Sequence, residues 1–526
     1  MAQLDMMARL DDYLLSVLIF FPILGALVIA ILPRSLSRPA AIVVALIEFV
    51  LSLQLWVLWD HVPISEQGFR FTQNVPWIPE YGIHYHLAVD GISLLLILLT
   101  TFLTPICLLA AWTDISQHRK EFAICFLLLA AAIIGVFTSL DMMLFFTFWE
   151  AGLIPMYLLI GVWGGTRRIY AAAKFFLYTM FGSVLMWLAM LYVYFQQPEG
   201  ARSFDIAAFG EAARRIDSQN PSVAIWLFAA FALAFAIKIP LFPFHTWLPD
   251  AHTEAPTAGS VDLAAVLLKT GAYGFIRFAI PFFPEAAHSA APVMVVLSLI
   301  GIIYGALVCM MQTDFKRLVA YSSVSHLGFV MLGIFAALEA ERFGDIAMSG
   351  ATLQMINHGI TSGALFLLVG ILYERRHTRE ISEFGGLAKV MPRYLVFFWL
   401  AVFASIGLPG LNSFVGEYLI LQGVADANFW YAAIASTGVI LGAVYLLRAT
   451  RSVMYGEITN EANRTLPDIN PRETFVLASI LALAVWIGVY PKPFLDIINP
   501  DAATASRRMR ADTGDTALTK HKLAQR

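Results

Sequence analysis

Cysteines and charged residues are scarce in this sequence of 526 residues. Charged residues make up 13% of it, about half of the roughly 25% that is usual in soluble domains. The three cysteines, Cys107, Cys125 and Cys309, lie singly in apolar runs, and no Cys-x-x-Cys motif occurs. We therefore expect neither a disulfide framework nor an iron–sulfur cluster bound by this chain.

Motifs for nucleotide binding are missing as well. The sequence contains no Gly-x-Gly-x-x-Gly and no Walker motif, which excludes the common devices for binding a dinucleotide or hydrolysing ATP. A formal net charge of −3 argues against a nucleic-acid partner. We predict that this chain binds no metal and no cofactor.

Hydrophobic residues, by contrast, make up 59% of the chain. A soluble core cannot bury so much apolar surface, so the composition predicts a polytopic membrane protein with an all-α fold. Since about twenty apolar residues span a bilayer, we predict about fourteen transmembrane helices. They are expected near residues 14–32, 39–58, 88–112, 122–137, 140–163, 171–195, 223–258, 259–280, 292–311, 315–337, 345–373, 394–424, 429–454 and 472–495.

Two of these runs, 223–258 and 394–424, are too long for one straight helix. Residues that break helices lie inside both: Pro240 and Pro243 in the first, Pro409 and Gly410 in the second. Because the two runs lie five spans apart, and five is odd, the units around them have opposite orientations. This arrangement is typical of inverted repeats, in which interrupted helices mark a transport site.

The predicted domain organisation follows from these breaks. A transmembrane domain covers residues 1–495, with one five-helix repeat at 122–280 and a second, inverted one at 292–454, before a polar C-terminal tail at 496–526. Lys and Arg are concentrated in one set of loops, to which we assign Lys316 and the segment 374–393. The positive-inside rule places that set in the cytoplasm and both termini on the opposite, periplasmic side.

Titratable residues interrupt the apolar spans. Those inside the spans are Glu150, Lys238, Lys269, His326 and Glu417, and those near helix breaks or ends are His245, His252 and His358. A Lys or Glu at the centre of a bilayer costs about 2.5–3.5 kcal/mol, so these side chains must face protein, water or each other. Since Lys, His and Glu can each exchange a proton with bound water, we interpret the set as an ion pathway for protons.

Lys238 lies two residues before Pro240. A proline donates no backbone hydrogen bond, so its position predicts free carbonyl groups near Ala236 that can hold water or the Lys238 ammonium. Purely structural interpretations of these titratable residues stay open. They are snorkelling to the membrane surface for the lysines, a structural hydrogen bond for the glutamates and a core position for the histidines. Glu48, without an evident partner, is interpreted as structural, and Arg277, near a span end, is expected to snorkel.

Several stretches resemble a known family. The seventh and eighth spans carry PFHTWLPDAHTEAPTAGSV and LLKTGAYGFIRF, and two other spans carry HLAVDGISL and YSSVSHLGFVMLG. From about residue 14 to 495, the chain is similar to the antiporter-like membrane subunits of respiratory complex I, a pattern shared with Mrp-type sodium/proton antiporter subunits. The resemblance implies a proton-translocating subunit of NADH:quinone oxidoreductase without a redox centre of its own. NADH, FMN, iron–sulfur clusters and quinone would then be bound by other subunits.

Two features resemble the M-type branch of this family. Glu417 lies in LNSFVGEYLIL, where L- and N-type subunits and Mrp relatives carry a lysine. Only residues 496–526 follow the last predicted span, so we expect no long lateral helix of the kind that the L-type subunit has. The resemblance implies that L- and N-type subunits and lipids surround this chain in a bacterial inner membrane, or alternatively in the mitochondrial inner membrane.

The proton path of the family can be placed on this sequence by resemblance. Glu150 corresponds to the glutamate that pairs with the broken-helix lysine, Lys238. Lys269 corresponds to the lysine that links two half-channels, His326 continues the path, and Glu417 ends it toward the far side.

His245 and His252 match the family motif beside the seventh-span break, with less defined roles. Three other functions stay open. The first is that of an Mrp-type antiporter subunit without a redox partner. The second is that of a haem-bearing membrane oxidoreductase with His326 and His358 as axial ligands, and the third is that of a passive scaffold in a membrane complex.

The orientation can be tested by labelling intact cells and spheroplasts from the periplasmic side. We expect a tag on Arg526 to be reached and a tag in the arginine-rich loop 374–393 to be protected, because of the positive-inside bias. Labelling of loop 374–393 from outside would invert the topology.

Overall fold

The computed structural model describes residues 13–507, and most of them are helical. In chain order the elements are α1 (Leu14–Ile31), α2 (Arg34–Val57), β1 (Arg70–Ile78), β2 (Ile83–Val89), α3 (Gly91–Asp114), α4 (Arg119–Thr138), α5 (Met142–Trp163), α6 (Arg168–Phe195), α7 (Ile206–Gln219), α8 (Pro221–Lys238), α9 (Trp247–Glu254), α10 (Thr257–Phe282), α11 (Pro284–Met310), α12 (Phe315–Glu339), α13 (Gly344–Arg376), α14 (Pro392–Ser405), α15 (Asn412–Ala427), α16 (Phe429–Met454), α17 (Pro471–Val489) and α18 (492–507).

Thirteen helices of the described range are long and apolar enough to cross a membrane. The pair α14 and α15, which together replace one long span, adds a fourteenth. The prediction of an all-α polytopic fold with about fourteen spans is therefore confirmed, with the small antiparallel hairpin β1–β2 as an addition. Residues 496–507, expected in the polar tail, are helical and belong to α18, and the rest of that tail lies outside the described residues.

The seventh span is interrupted as its prolines require. Helix α8 ends at Lys238, and α9 begins at Trp247 after a turn that contains Pro240 and Pro243. The expectation of free carbonyl groups near Ala236 was wrong, since the Ala236 carbonyl accepts a hydrogen bond from the Leu241 amide at 2.9 Å. The break is thus closed by protein groups, as backbone at membrane depth must be.

The twelfth span is interrupted between Ser405 and Asn412. Gly407 and Gly410 have φ angles of 73° and 93°, a conformation that glycine adopts without steric cost. The start of α15 is tied to α13, because the side-chain amide of Asn412 donates to the Asn357 carbonyl at 3.2 Å and that of Asn357 donates to the Asn412 carbonyl at 2.8 Å.

The two helices at the centre of the bundle are α10 and α13. All of the most apolar 18 residues of α13 are buried, and 94% of those of α10, against 28% for α2 and 33% for α16. Polar groups on α10 and α13 therefore face protein on every side, whereas α2 and α16 leave apolar surface for lipid or other chains. The inverted relation of segments 122–280 and 292–454 stays a prediction.

The hairpin and the amphipathic helix α7 lie at one end of the bundle. Helix α7 has 14 residues, is too polar and short to span a membrane, and was not among the predicted helices. Arg277 was expected to snorkel, and this was wrong: its guanidinium forms a buried ion pair with Asp90 at the start of α3. Asp90 also accepts from the Ser93 amide at 3.0 Å, so one carboxylate fixes both a helix start and an arginine.

Close packing of α8 on α10 depends on Gly271. A Cβ atom at this position would lie 2.7 Å from the Phe235 carbonyl oxygen and 2.8 Å from the Ile239 nitrogen. We expect Gly271→Ala to lower the free energy of unfolding by about 1–3 kcal/mol, the usual cost of overpacking, and thereby to lower the melting temperature. Gly442→Ala on α16 is the matched control, since nothing lies within 4 Å of its Cβ position. Equal stability of the two variants in a melting assay would contradict this packing.

Candidate functional site

Lys269 lies on α10 and is fully buried. The turn before it, Leu263–Leu267, has the wider π-helical geometry, which is common at functional sites in helices. The Lys269 ammonium donates to the carbonyl oxygen of Ala264, five residues earlier, at 2.5 Å. A local departure from α-helical geometry therefore accompanies a backbone partner for a lysine inside the bundle.

The second partner of Lys269 is His358 on α13. Its Nδ1 atom lies 2.6 Å from the Lys269 Nζ atom, a distance at which the two groups share a hydrogen bond. The neighbouring Gly359 allows this approach, because a Cβ atom there would lie 2.7 Å from the Ala265 carbonyl oxygen. A lysine and a histidine 89 residues apart are thus in direct contact.

His326 on α12 extends the contact toward α15. Its ring centroid lies 5.9 Å from that of His358, and its Nδ1 atom lies 3.2 Å from the Oε1 atom of Glu417. The Nε2 atoms of both histidines are buried without a hydrogen-bond partner. Each ring therefore keeps one nitrogen free while the other contacts a titratable group.

Glu417 lies near the start of α15, just after the twelfth-span break, and is 5% exposed. Besides His326, its Oε1 atom accepts a hydrogen bond from the Gln354 side-chain amide at 3.1 Å. We call these four neighbouring side chains, Lys269, His358, His326 and Glu417, the buried row. It joins four helices through groups that can bind and release protons.

Lys238 and Glu150 form a separate group. The Lys238 ammonium lies 4.9 Å from the centroid of the Trp149 ring and 5.9 Å from that of Phe175. Glu150 and Lys238 interact electrostatically, yet no ion pair within 4.0 Å joins them. The Oε1 atom of Glu150 is buried without a hydrogen-bond partner, so the two charges influence each other through space.

The other predicted histidines occupy different surroundings. His252 is fully buried on α9, and its ring stacks on Phe366 with centroids 4.7 Å apart. His245 lies in the seventh-span break against Phe242 and Tyr304. The structure does not bring His245 into contact with the buried row.

Two buried polar residues were missed in the sequence. Gln354 precedes His358 by four residues on α13, a spacing that places both on one helix face, and this signal was available. Lys316 was counted as a loop charge, although it is 6% exposed. Glu48 is fully buried and neither carboxylate oxygen has a hydrogen-bond partner, so its structural role stays a prediction.

Comparison with known proteins shows which family has this architecture. A family model described as NADH:quinone oxidoreductase/Mrp antiporter, TM, matches residues 139–442. Subunit M of NADH-quinone oxidoreductase from Rhodobacter capsulatus is 45% identical over 516 residues, which cover 96% of this chain and 98% of that protein. The chain belongs to the NADH:quinone oxidoreductase/Mrp antiporter family of membrane subunits. Chain 4 of NADH-ubiquinone oxidoreductase from Arabidopsis thaliana is 43% identical over 489 residues and covers 92% of this chain and 95% of that protein.

A solved structure of this family has the same fold. A chain of respiratory complex I from Thermus thermophilus with bound NADH matches with a TM-score of 0.82 and 31% identity, over 94% of this chain and 99% of that one. The resemblance to the M-type branch of complex I membrane subunits is therefore confirmed. The roles of individual residues stay predictions.

Coupling between Glu150 and Lys238 can be tested with a double-mutant cycle. We expect Glu150→Gln and Lys238→Ala each to lower quinone-reducing turnover of the assembled complex. Because the carboxylate would act through the lysine, the double variant should be little worse than Lys238→Ala alone. Additive losses in proton pumping by reconstituted vesicles would show that the two residues act independently.

Proposed function

We propose that this chain is a proton-translocating membrane-arm subunit of NADH:quinone oxidoreductase and that protons pass along the buried row. The observation that carries the proposal is the contact series from Lys269 through His358 and His326 to Glu417. Packing alone does not require four proton-exchanging groups on four helices, since apolar residues fill a bundle at lower cost. The named relatives are subunits of this oxidoreductase.

The chemistry of the row favours protons over sodium ions. Its members present three nitrogen bases and one carboxylate, whereas hard metal cations prefer shells of oxygen ligands. One water molecule bonded to the two free Nε2 atoms of His326 and His358 would complete the path between the rings.

The driving force would come from outside the chain. Quinone reduction in other subunits would change the charge near Glu150, and this change would alter the proton affinity of Lys238 through the electrostatic contact between them. The through-space geometry suits this role, because charges without a direct ion pair respond to shifts of a neighbour without first breaking a bond. Lys238 would then act on the row through α10, which packs directly on α8 at Gly271.

Redox cofactors would lie elsewhere in the complex. The three cysteines, Cys107, Cys125 and Cys309, lie in separate helices and cannot supply the four thiolates of a usual iron–sulfur cluster. We place NADH, FMN, the clusters and quinone on other subunits, and we place L- and N-type subunits and lipids against apolar faces such as those of α2 and α16. The proposed location is a bacterial inner membrane, or alternatively the mitochondrial one, with both termini periplasmic.

The row can be tested with Lys269→Ala in the assembled complex. We expect both proton pumping and NADH:quinone turnover to fall by roughly 100-fold, the low end for loss of a proton-transfer group. Lys389→Met is the matched control, since Lys389 is exposed and away from the row. Pumping would be measured in vesicles as protons moved per electron, and assembly would be checked by the co-purification of flavin and iron–sulfur subunits.

Normal pumping per electron in assembled Lys269→Ala would remove the residue from the path. Purification without any flavin or iron–sulfur subunit, together with sodium-dependent transport, would favour the Mrp-type alternative.

A further inference from the structure

A cavity of about 300 Å³ lies at the loop ends of α3, α5, α10, α12 and α13. Exposed residues of the loops and helix ends, such as Gln117 and Arg168, line it together with the buried residues Lys316 and Ala255. These loops belong to the basic set that the positive-inside rule places in the cytoplasm. The cavity therefore leads from one predicted membrane face to a buried lysine.

Lys316 lies in the first turn of α12 and is 6% exposed. Its ammonium donates to the carbonyl of Ala255, at the end of the broken seventh span. The charged groups that act on it come from every neighbouring segment. They are Arg379, Asp114, Asp314, Glu254 and His252.

Those charges do not neutralise Lys316 by direct contact. Asp314 forms its ion pair with Arg379, at 3.1 Å, and Glu254 accepts a hydrogen bond from the Arg167 amide at 2.8 Å. The ammonium of Lys316 thus donates to a backbone carbonyl and lies beside the cavity. A lysine held in this way can exchange its proton with water in the cavity.

His252 on α9 is the titratable group that interacts with both Lys316 and the Lys269 end of the buried row. It is fully buried, and neither ring nitrogen has a hydrogen-bond partner. Its ring interacts electrostatically with both Lys316 and Lys269. An imidazole with two free nitrogens can accept a proton on one and release a proton from the other.

We propose that the cavity, Lys316 and His252 form the route by which protons reach Lys269. The inference rests on the proposed function of the buried row. A hydronium ion in the cavity would give its proton to the neutral amine of Lys316 and remain as water. The Lys316 ammonium would then protonate one nitrogen of His252, and the opposite nitrogen would release its proton to the neutral amine of Lys269.

The test compares Lys316→Met and Lys316→Arg in the intact complex. We expect Lys316→Met to lower pumping and NADH:quinone turnover by roughly 100-fold, as for loss of a proton-transfer group. Lys316→Arg should not restore them, because a guanidinium keeps its proton. NADH oxidation by ferricyanide reports the assembled redox subunits independently, and Lys389→Met should be unchanged in every assay.

A purely structural role would give the opposite result, since arginine can still donate to the Ala255 carbonyl. Full turnover in Lys316→Arg would therefore overturn the proposal. Lys316→His provides a second measurement: with an ordinary imidazole pKa of about 6.5, its turnover should rise as the pH falls from about 8 to 6, relative to wild type. A flat ratio across this range would also contradict the relay.

These variants distinguish failure of the proposed proton path along the buried row from failure of the entry route through Lys316 and His252. If Lys269→Ala pumps normally, the proposed path itself fails. If Lys269→Ala is inactive and Lys316→Met pumps normally, only the route through Lys316 and His252 is overturned.

Discussion

The contact between Lys269 and His358 is the interaction on which the arrangement of the bundle centre depends. A charged group inside a bilayer costs several kcal/mol unless protein or water solvates it, and Lys269 is fully buried. The π-helical turn before it offers the Ala264 carbonyl, and α13 offers His358. Both helices are almost wholly buried, and small residues such as Gly271 and Gly359 allow their neighbours to approach closely.

The two interrupted spans have related roles, since each positions a titratable side chain. The seventh-span break ends α8 at Lys238, so that the ammonium projects at a helix end beside the Trp149 and Phe175 rings. The twelfth-span break starts α15 at Asn412, which places Glu417 one turn inside the bundle next to His326. Each break positions one titratable group, and backbone hydrogen bonds within the protein make the breaks tolerable at membrane depth.

Glu417 illustrates how one residue type suits its surroundings. A carboxylate accepts hydrogen bonds, and both contacts of its Oε1 atom, from Gln354 and His326, come from groups that can donate. A lysine in this place could accept a hydrogen bond from neither group, because an ammonium has no acceptor. The polar residues of α13 and α12 are therefore matched to an acid at this end of the row.

The sequence by itself determined the membrane fold, the two breaks and the titratable residues inside the spans, because hydropathy, proline chemistry and the cost of buried charge are local properties. Only the tertiary structure decided which of these residues meet. Lys269 and His358 are 89 residues apart, and His326 and Glu417 are 91 apart, so their contacts arise from helix packing that no local pattern encodes. For the same reason the sequence wrongly suggested that Arg277 snorkels to the membrane surface and that Lys316 is a loop charge. Burial depends on the neighbours that the fold supplies.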